Sequence, residues 1–314
     1  MSVPFQSLSI SGLLTLDMHA LNNEGAEGNQ LQTRMVHIVD GDGQPTVVNA
    51  ISGDMLKHMQ AEHLHGIAVE KGLPLCAGCQ KFNANRINAD GDFIQTLGDK
   101  NAISDTVKKV LQHCVVDDLE GVLITQGGRS TPRKSTVEFG WMVGLPDKTR
   151  TESYFHVKFD PNRGQGSGGE SGANLGQNIF YRPASSGEYA VVMNAELSRV
   201  GFNDVEREYQ IPAEARKERV KALLESVLLT FIKPLGAHRN TQFPHIVNFA
   251  GVVSVSTSTV PAPTVSPLKK DFSQELQSIQ AQLNRLYPET ITTFQFSSQA
   301  EFTKIMVDLI EQVG

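Results

Sequence analysis

Residues 7–18 restrict the fold before anything else does. Leu8, Ile10, Leu14, Leu16 and Met18 fall on one parity, and Ser7, Ser9, Ser11, Thr15 and Asp17 on the other. Only Gly12 and Leu13 break the pattern. A period of two over such a span predicts a half-buried β-strand. The strand runs into a polar, glycine-punctuated loop, His19 to Gln30.

Two short β-like runs follow, 34–39 and 46–49, separated by Asp40-Gly41-Asp42-Gly43. Asp-Gly pairs supply the turn conformations a hairpin requires. Ser52 then reads as a helix N-cap with Asp54 in the first turn, and Leu56, Met59, His63 and Ile67 share one helical face. Gly72 suits the position just past the helix end. Further along, a helix is expected near 104–114 and a buried strand at 121–125. Strands are expected at 136–143, 153–159, 178–181 and 188–197. Residues 162–177, with six glycines and almost no apolar side chains, predict a mobile loop. A second long helix starts at Pro212, a residue suited to the first helical turn, and ends at Pro234 and Gly236. A valine-rich strand (250–257), a Pro-rich connector (261–267), a helix (271–286), a strand (290–296) and a capping-box helix at Ser298/Glu301 complete the chain. Stripped of insertions the order is β-α-β-β-α-β, the ferredoxin-like split shared with RNA-recognition modules.

With 314 residues the chain allows two domains or one core with insertions. Three cysteines make a disulfide framework a poor expectation and a reducing cytoplasm the default. No apolar run reaches membrane-spanning length, and the N-terminus lacks the pattern of a secretory leader. A net charge of −6 argues against a protein that coats nucleic acid electrostatically. Net charge averages over all faces, however, and a groove needs only a local basic stripe. Residues 129–163 provide one: seven Lys and Arg against four Asp and Glu.

Four constellations could carry chemistry. The first joins the loop after the first strand to the helix start at Ser52, where free backbone N–H groups suit phosphate and Lys57 and His58 follow. The second is Pro234-Leu235-Gly236-Ala237-His238-Arg239-Asn240, which reads either as a helix cap or as a second arm of the same groove. The third is Cys76-x-x-Cys79, half of a zinc site, which His65, His113 or Cys114 could complete. The fourth is Asp17, with Glu24 and Glu27 nearby, carboxylates at a strand end that could take Mg²⁺ or read as a solvated strand end. Phosphate-binding Gly-rich loops, zinc-protease and nucleophile-elbow motifs are absent from the sequence.

The segments LTLDMHALNNEGAEGN, VNAISGDMLKHMQAEHL and KPLGAHRNTQFPH, together with the glycine-rich insertion, resemble the CRISPR-associated Cas-seven family. The nearest branch is the DevR-type group of type I-B systems, and the similarity covers most of residues 5–258. The resemblance implies an α+β fold: an RRM/ferredoxin-like palm with inserted helical fingers and a β-hairpin thumb. Palm would occupy 1–59, fingers 60–120, palm strand and thumb root 121–139, thumb 140–195, and the rest of the palm with C-terminal helices 196–314.

Such subunits polymerise along a CRISPR guide RNA in the Cascade complex, kink it with the thumb and present it to target DNA. Implied partners are therefore guide RNA, target DNA through the guide, neighbouring copies of the chain and other Cascade subunits, with no membrane and no required cofactor. Since guide sequence varies, contacts should go to backbone and shape. Carried over by position, RNA-binding residues are His19, Asn22, Asn23, Arg34, Ser52, Lys57, His58, His238 and Arg239. Arg129, Arg133 and Lys134 lie at the thumb root, and Arg163 lies in the glycine-rich loop. Met142 and Phe180 are candidate thumb wedges. Type III relatives cut target RNA with an aspartate on the first loop. Asp17 lies near that place but at the strand end, so no catalysis is expected. The alternatives are a metal-dependent RNA-cleaving subunit using Asp17, and a transcriptional autoregulator.

Overall fold

The computed structural model describes residues 3–159, 177–236 and 240–314. In chain order, β1 (Ser7–His19) leads into two hairpins, β2 (Asn23–Glu27) with β3 (Gln30–Thr33), and β4 (Met35–Val39) with β5 (Pro45–Ile51). Helix α1 (Gly53–Glu70) follows, then the short helices α2 (Ala77–Gln80), α3 (Gly91–Gln95), α4 (Ile103–His113) and α5 (Val115–Glu120). Strands β6 (Val122–Ile124), β7 (Thr131–Arg133), β8 (Val137–Phe139), β9 (Met142–Phe159) and β10 (Gln177–Ala195) come next, with a small ribbon of β11 (Phe202–Asn203) and β12 (Glu208–Tyr209). The chain ends with α6 (Ala213–Ile232), β13 (His245–Ser256), α7 (Phe272–Leu286), β14 (Ile291–Phe296) and α8 (Gln299–Gln312). The architecture is mixed α+β, built on one largely antiparallel sheet.

At the sheet's centre β1 lies between β13 and β10, antiparallel to both. The far edge of β10 pairs antiparallel with β8, so the order β13-β1-β10-β8 places each strand parallel to its next-but-one neighbour. Parallel strands cannot be joined by a hairpin. α1 bridges β1 to β8, and α6 bridges β10 to β13. The two helices pack against each other, with Gln60 donating to Ser226 Oγ at 2.7 Å inside the contact. Leu8, Ile10, Leu14 and Leu16 of β1 join Leu56, Met59 and Leu64 of α1 and Leu223, Val227 and Phe231 of α6 in one core.

In the first half of β1 the polar parity, Ser7, Ser9 and Ser11, is buried as well, which corrects the half-buried expectation there; Thr15 and Asp17 stay partly exposed, and Met18 is exposed. The Pro-rich connector lies along the serines: Ala262 N donates to Ser7 Oγ (3.0 Å), Ser9 Oγ donates to Ala262 O (3.0 Å), and Val265 N donates to Ser11 Oγ (3.2 Å). Serines spaced by two thus satisfy backbone groups of a connector that pairs with no strand, while the backbone of β1 itself is paired on both edges. The buried strand expected at 121–125 is instead the short edge ribbon β6–β7, with Leu123 exposed. The boundary expected at residue 60 falls inside α1, which is unbroken to Glu70.

The four strand-like runs between 136 and 197 resolve into β8 and two long strands. β9 and β10 stay paired from Val143↔Ala190 out to Phe159↔Gln177, with one irregularity beside Gly187. Beyond that point β9 has no second strand partner, so the pair continues as a long ribbon, and the β2–β3 hairpin joins the other edge of β10, β3 pairing in parallel at Tyr181↔Gln30.

Candidate nucleic-acid interface

The site grows from the first turn of α1. Ser52 is the N-cap: its Oγ accepts from Met55 N at 3.2 Å. Asn22, at the end of the loop after β1, accepts Ser52 N at 2.9 Å on its side-chain oxygen, so the loop and the helix start are clamped together. Gly53 must be glycine, because a Cβ there would lie 2.5 Å from Phe139 O. The helix start is thereby pressed onto the strand that precedes Trp141. Arg34, beside β5, holds its guanidinium over the half-exposed Trp141 ring at 5.1 Å. At the other flank the turn after α6 touches α1. A Cβ on Gly236 would meet Met55 Cε at 2.6 Å and His58 Cδ2 at 3.1 Å, and His63 Nε2 lies 2.8 Å from Lys233 O.

One cleft of about 420 Å³ opens between α1 and the loop after α2, lined by Lys57, His58, Phe82, Asn83 and Arg86. Burial pulls Lys57 below the usual amine range, with Arg86 acting the same way and Glu120 opposing. Its Nζ donates to Glu120 O at 3.1 Å. Phe82 (φ 49°) and Arg86 (φ 49°) both adopt left-handed backbone without being glycine, a cost that collects at functional sites.

The β9–β10 ribbon begins beside the helix start, where Met142 pairs with Ile51, and its two faces differ. One carries Tyr154, His156, Lys158, Phe180 and Arg182, since Phe180 pairs with His156 and Arg182 with Tyr154. His156 stacks on Phe180 with ring centroids 5.4 Å apart, and the Arg182 guanidinium lies 4.9 Å from the same ring. Aromatic and cationic groups interleaved along a ribbon suit stacked bases and backbone phosphates. The other face is apolar: Phe155, Val157 and Tyr181, all exposed. Arg182 also donates to Thr241 Oγ1 at 2.9 Å, tying the ribbon to the chain beyond α6.

Asn22, Arg34, Ser52 and His58 therefore converge at one place, as the position-by-position reading expects. Other expected residues do not face it. His19 is buried against Tyr189 at 5.0 Å, and burial lowers its pKa to about 4, so it is a neutral core imidazole. Arg133 is buried: it donates to Asp118 (2.8 Å) and Asp204 (3.1 Å), leaving no charge for phosphate. Arg129 turns its guanidinium to the carbonyls of Leu97 (3.2 Å) and Gly98, closing the α3–α4 connection. Met142 is 1% exposed and belongs to the core, so it is no wedge. Phe180 stays on the ribbon, and Lys134 is exposed beyond β7. Asn23 lies on β2. Arg163, His238 and Arg239 lie outside the described residues, as does most of the glycine-rich segment. Trp141, Asn83, Arg86, Tyr154 and Arg182 went unread in the sequence. The signal was there for two kinds of them: the lone tryptophan beside a glycine, and the aromatic-cation alternation in 154–158.

The expected zinc ligands also sort out. Cys76, Cys79 and Cys114 come together, joined by Asp117. His65 instead faces Gln80 O at 3.3 Å, and His113 faces Asp90 at 3.3 Å while stacking on Phe93. Asp17 is not part of any such cluster among the described residues. No described helix is long and apolar enough to cross a membrane.

Residues 10–277 match the family described as "CRISPR-associated negative auto-regulator DevR/Csa2". The CRISPR-associated protein Cas7/Csa2 1 of Saccharolobus solfataricus is 25% identical over 274 residues, 84% of this chain and 83% of that protein. A solved chain described as "CRISPR RNA-guided surveillance complex" shares the fold with a TM-score of 0.51 at 12% identity, covering 98% of this chain and 100% of that one. Another, from a "pre-nicking" surveillance complex, has a TM-score of 0.49 at 13% identity over 96% of this chain and 99% of that one.

Proposed function

The chain belongs to the DevR/Csa2 family of CRISPR-associated proteins, and from that premise we propose that it is a guide-RNA-binding backbone subunit of a type I Cascade surveillance complex. Within the type, the DevR-type segments favour the I-B subtype. On this reading β13-β1-β10-β8 with α1 and α6 is an RRM-like palm. The short helices between α1 and β6 are the fingers, and the β9–β10 ribbon is the thumb. Copies stack along one guide in the cytoplasm beside the other Cascade subunits, and each thumb kinks the guide and leaves bases free to pair with target DNA.

The observation that carries the reading is convergence. The capped start of α1, the Arg34–Trp141 pair and the turn after α6 meet at the root of a ribbon with one aromatic-cationic face. Such a surface binds backbone and base planes without reading base edges, as a variable guide demands. The acidic net charge is compatible with it, because binding needs only this local surface.

We read the subunit as non-catalytic. Asp17 stands opposite His245 on β13, and no cluster of carboxylates or imidazoles that could share a cation includes it among the described residues. Incubation with Mg²⁺ and guide-matched RNA should yield no cleavage. Regularly spaced cuts abolished by Asp17→Ala would overturn that.

The deciding experiment is co-expression with a CRISPR array, purification, and sequencing of bound nucleic acid. Processed guide RNA on an elongated particle is expected. A nucleic-acid-free monomer that ignores added single-stranded RNA, or one that binds a specific DNA duplex without a guide, would replace this reading with the autoregulator.

A further inference from the structure

We propose that Cys76, Cys79, Cys114 and Asp117 form a closed structural zinc site that pins the fingers to the palm. The four ligand atoms all lie within 4.8 Å of one another, and all four residues are buried. Cys76 Sγ and Cys79 Sγ sit 3.3 and 3.4 Å from the same oxygen, Asp117 Oδ2. A tetrahedral zinc with ordinary bond lengths separates sulfur from sulfur by about 3.8 Å and sulfur from oxygen by about 3.5 Å. The two sulfur–oxygen spacings are therefore already close to those of a first coordination sphere, and the remaining ligand atoms, within 4.8 Å, complete it with side-chain movements of about 1 Å.

Two consecutive aspartates make the argument. Asp117 and Asp118 are both 0% exposed. Asp118 is matched by two arginines, Arg133 and Arg219, each at 2.8 Å, and by Gly201 N. Asp117 has no Lys or Arg nitrogen in ion-pairing distance among the described residues. It has two thiols and one long bond from Ile87 N (3.4 Å). Arg86 acts on Asp117 only from beyond that distance; a buried carboxylate so weakly compensated is costly, and a divalent ion bound by the neighbouring sulfurs would supply the close counter-charge.

The ligands also arrive as two matched pairs. Cys76 and Cys79 flank the start of α2, and Cys114 and Asp117 flank the start of α5, each pair three residues apart with a cysteine at the N-cap. Cys76 Sγ accepts Cys79 N at 3.3 Å, the kind of N–H···S bond that supports a metal thiolate. Gly78 between them has no room for a side chain, because a Cβ would lie 2.0 Å from Arg86 O. Asp90 braces the outside, accepting Ala77 N (2.8 Å) and Phe93 N (2.9 Å) and facing His113. Ligand order and supporting hydrogen bonds are both part of a structural site. Three thiolates exclude Mg²⁺ and Ca²⁺, which take oxygen ligands. Four closed ligands leave no open position for catalysis. Cys79 and Val116 also line the cleft beside Lys57 and His58, so the ion would hold the wall of the proposed guide groove.

The test is metal analysis of the full chain purified without chelator, followed by exchange into cobalt(II). One zinc per chain is expected. The cobalt form should show a near-ultraviolet thiolate-to-metal charge-transfer band and tetrahedral visible bands. Asp117→Cys should keep the metal and strengthen the charge-transfer band, as a fourth thiolate requires. Cys114→Ser should lose zinc or release it at a lower chelator concentration. Should Cys114→Ser fail to fold, the wild-type cobalt spectrum and the Asp117→Cys change still decide. The proposal is overturned by a metal-free chain that shows no thiolate band in excess cobalt. Full zinc retention in Cys114→Ser, or an unchanged band in Asp117→Cys, would also overturn it. Guide binding plays no part in these readouts, so the site can fail while the proposed function stands, and the reverse.

Discussion

His19 carries a pH dependence that its neighbours make large. Its ring lies against Tyr189, its Nδ1 accepts Leu21 N at 3.4 Å, and its Nε2 is buried without a partner. Burial lowers its pKa to about 4, against about 6.5 when unfolded. Between those values the unfolded chain binds the proton and the folded chain does not. This stabilising contribution is therefore fully present above pH 6.5 and lost as pH falls toward 4, amounting to about 3 kcal/mol. Urea unfolding at pH 7 and pH 4.5 should show that loss, and His19→Phe should remove most of it. Equal pH sensitivity in wild type and variant would assign the acid lability elsewhere. Asp118 is a second single-residue control on the fold. It holds Arg133 from β7 and Arg219 from α6, so Asp118→Ala leaves two buried guanidiniums short of a partner. A loss of about 3–5 kcal/mol is expected, read as a lower urea midpoint. A loss under about 1 kcal/mol would mean solvent reaches the cluster.

At the scale of elements, the ribbon's two faces should behave differently. Tyr154 and Arg182 belong to the aromatic-cationic face, so Tyr154→Ala or Arg182→Ala should weaken binding to a short single-stranded RNA by about 1–3 kcal/mol each. Phe155→Ala, on the apolar face, should leave that affinity unchanged. Arg34→Gln should also reduce the salt dependence by about 0.7 in log-log slope, one single-strand phosphate's worth. Fluorescence anisotropy across a salt series checks all four variants, and equal effects from the two faces would sink the assignment. The sequence exposed the parts of this region that local rules govern. Ser52 and Gly72 bracket α1 because capping and φ > 0 are local demands, and the Asp40–Gly43 turn closes β4–β5 for the same reason. It hid what depends on distant chain. β9 and β10 read as four strands because Pro146, Asp147 and Pro183 interrupt the pattern; Pro183 stays in register opposite Ser153, and Pro146 and Asp147 sit in the single irregularity between Gly144 and Thr149, after which pairing resumes. Arg133 reads as a phosphate ligand because only folding shows Asp118 waiting for it. Asp117 went unread, since its three sulfur neighbours come from two segments nearly forty residues apart.

Across the whole molecule, the family match stops at residue 277, but the core does not. β14 extends the sheet beside β13, and Phe296 and Phe302 close on Phe249 at 4.9 and 4.8 Å. Phe302 also meets Phe231 of α6 edge-on at 5.7 Å. Met306, Leu309 and Val313 complete the same core. Residues 278–314 thus form one face of the fold and not an appendage. Phe302→Ala should cost about 3–5 kcal/mol, and truncation after Gln277 should abolish a cooperative thermal transition by stripping Phe231 and Phe249. The effect reaches the proposed groove through one bond. Gln299 donates to Phe231 O at 2.8 Å, satisfying a carbonyl in the last turn of α6 just before the chain turns toward His58. Gln299→Ala should therefore leave the fold cooperative and loosen that turn, lowering RNA affinity more than stability. A truncated chain that melts cooperatively at the wild-type temperature would show instead that the groove is built by the family-matched residues alone.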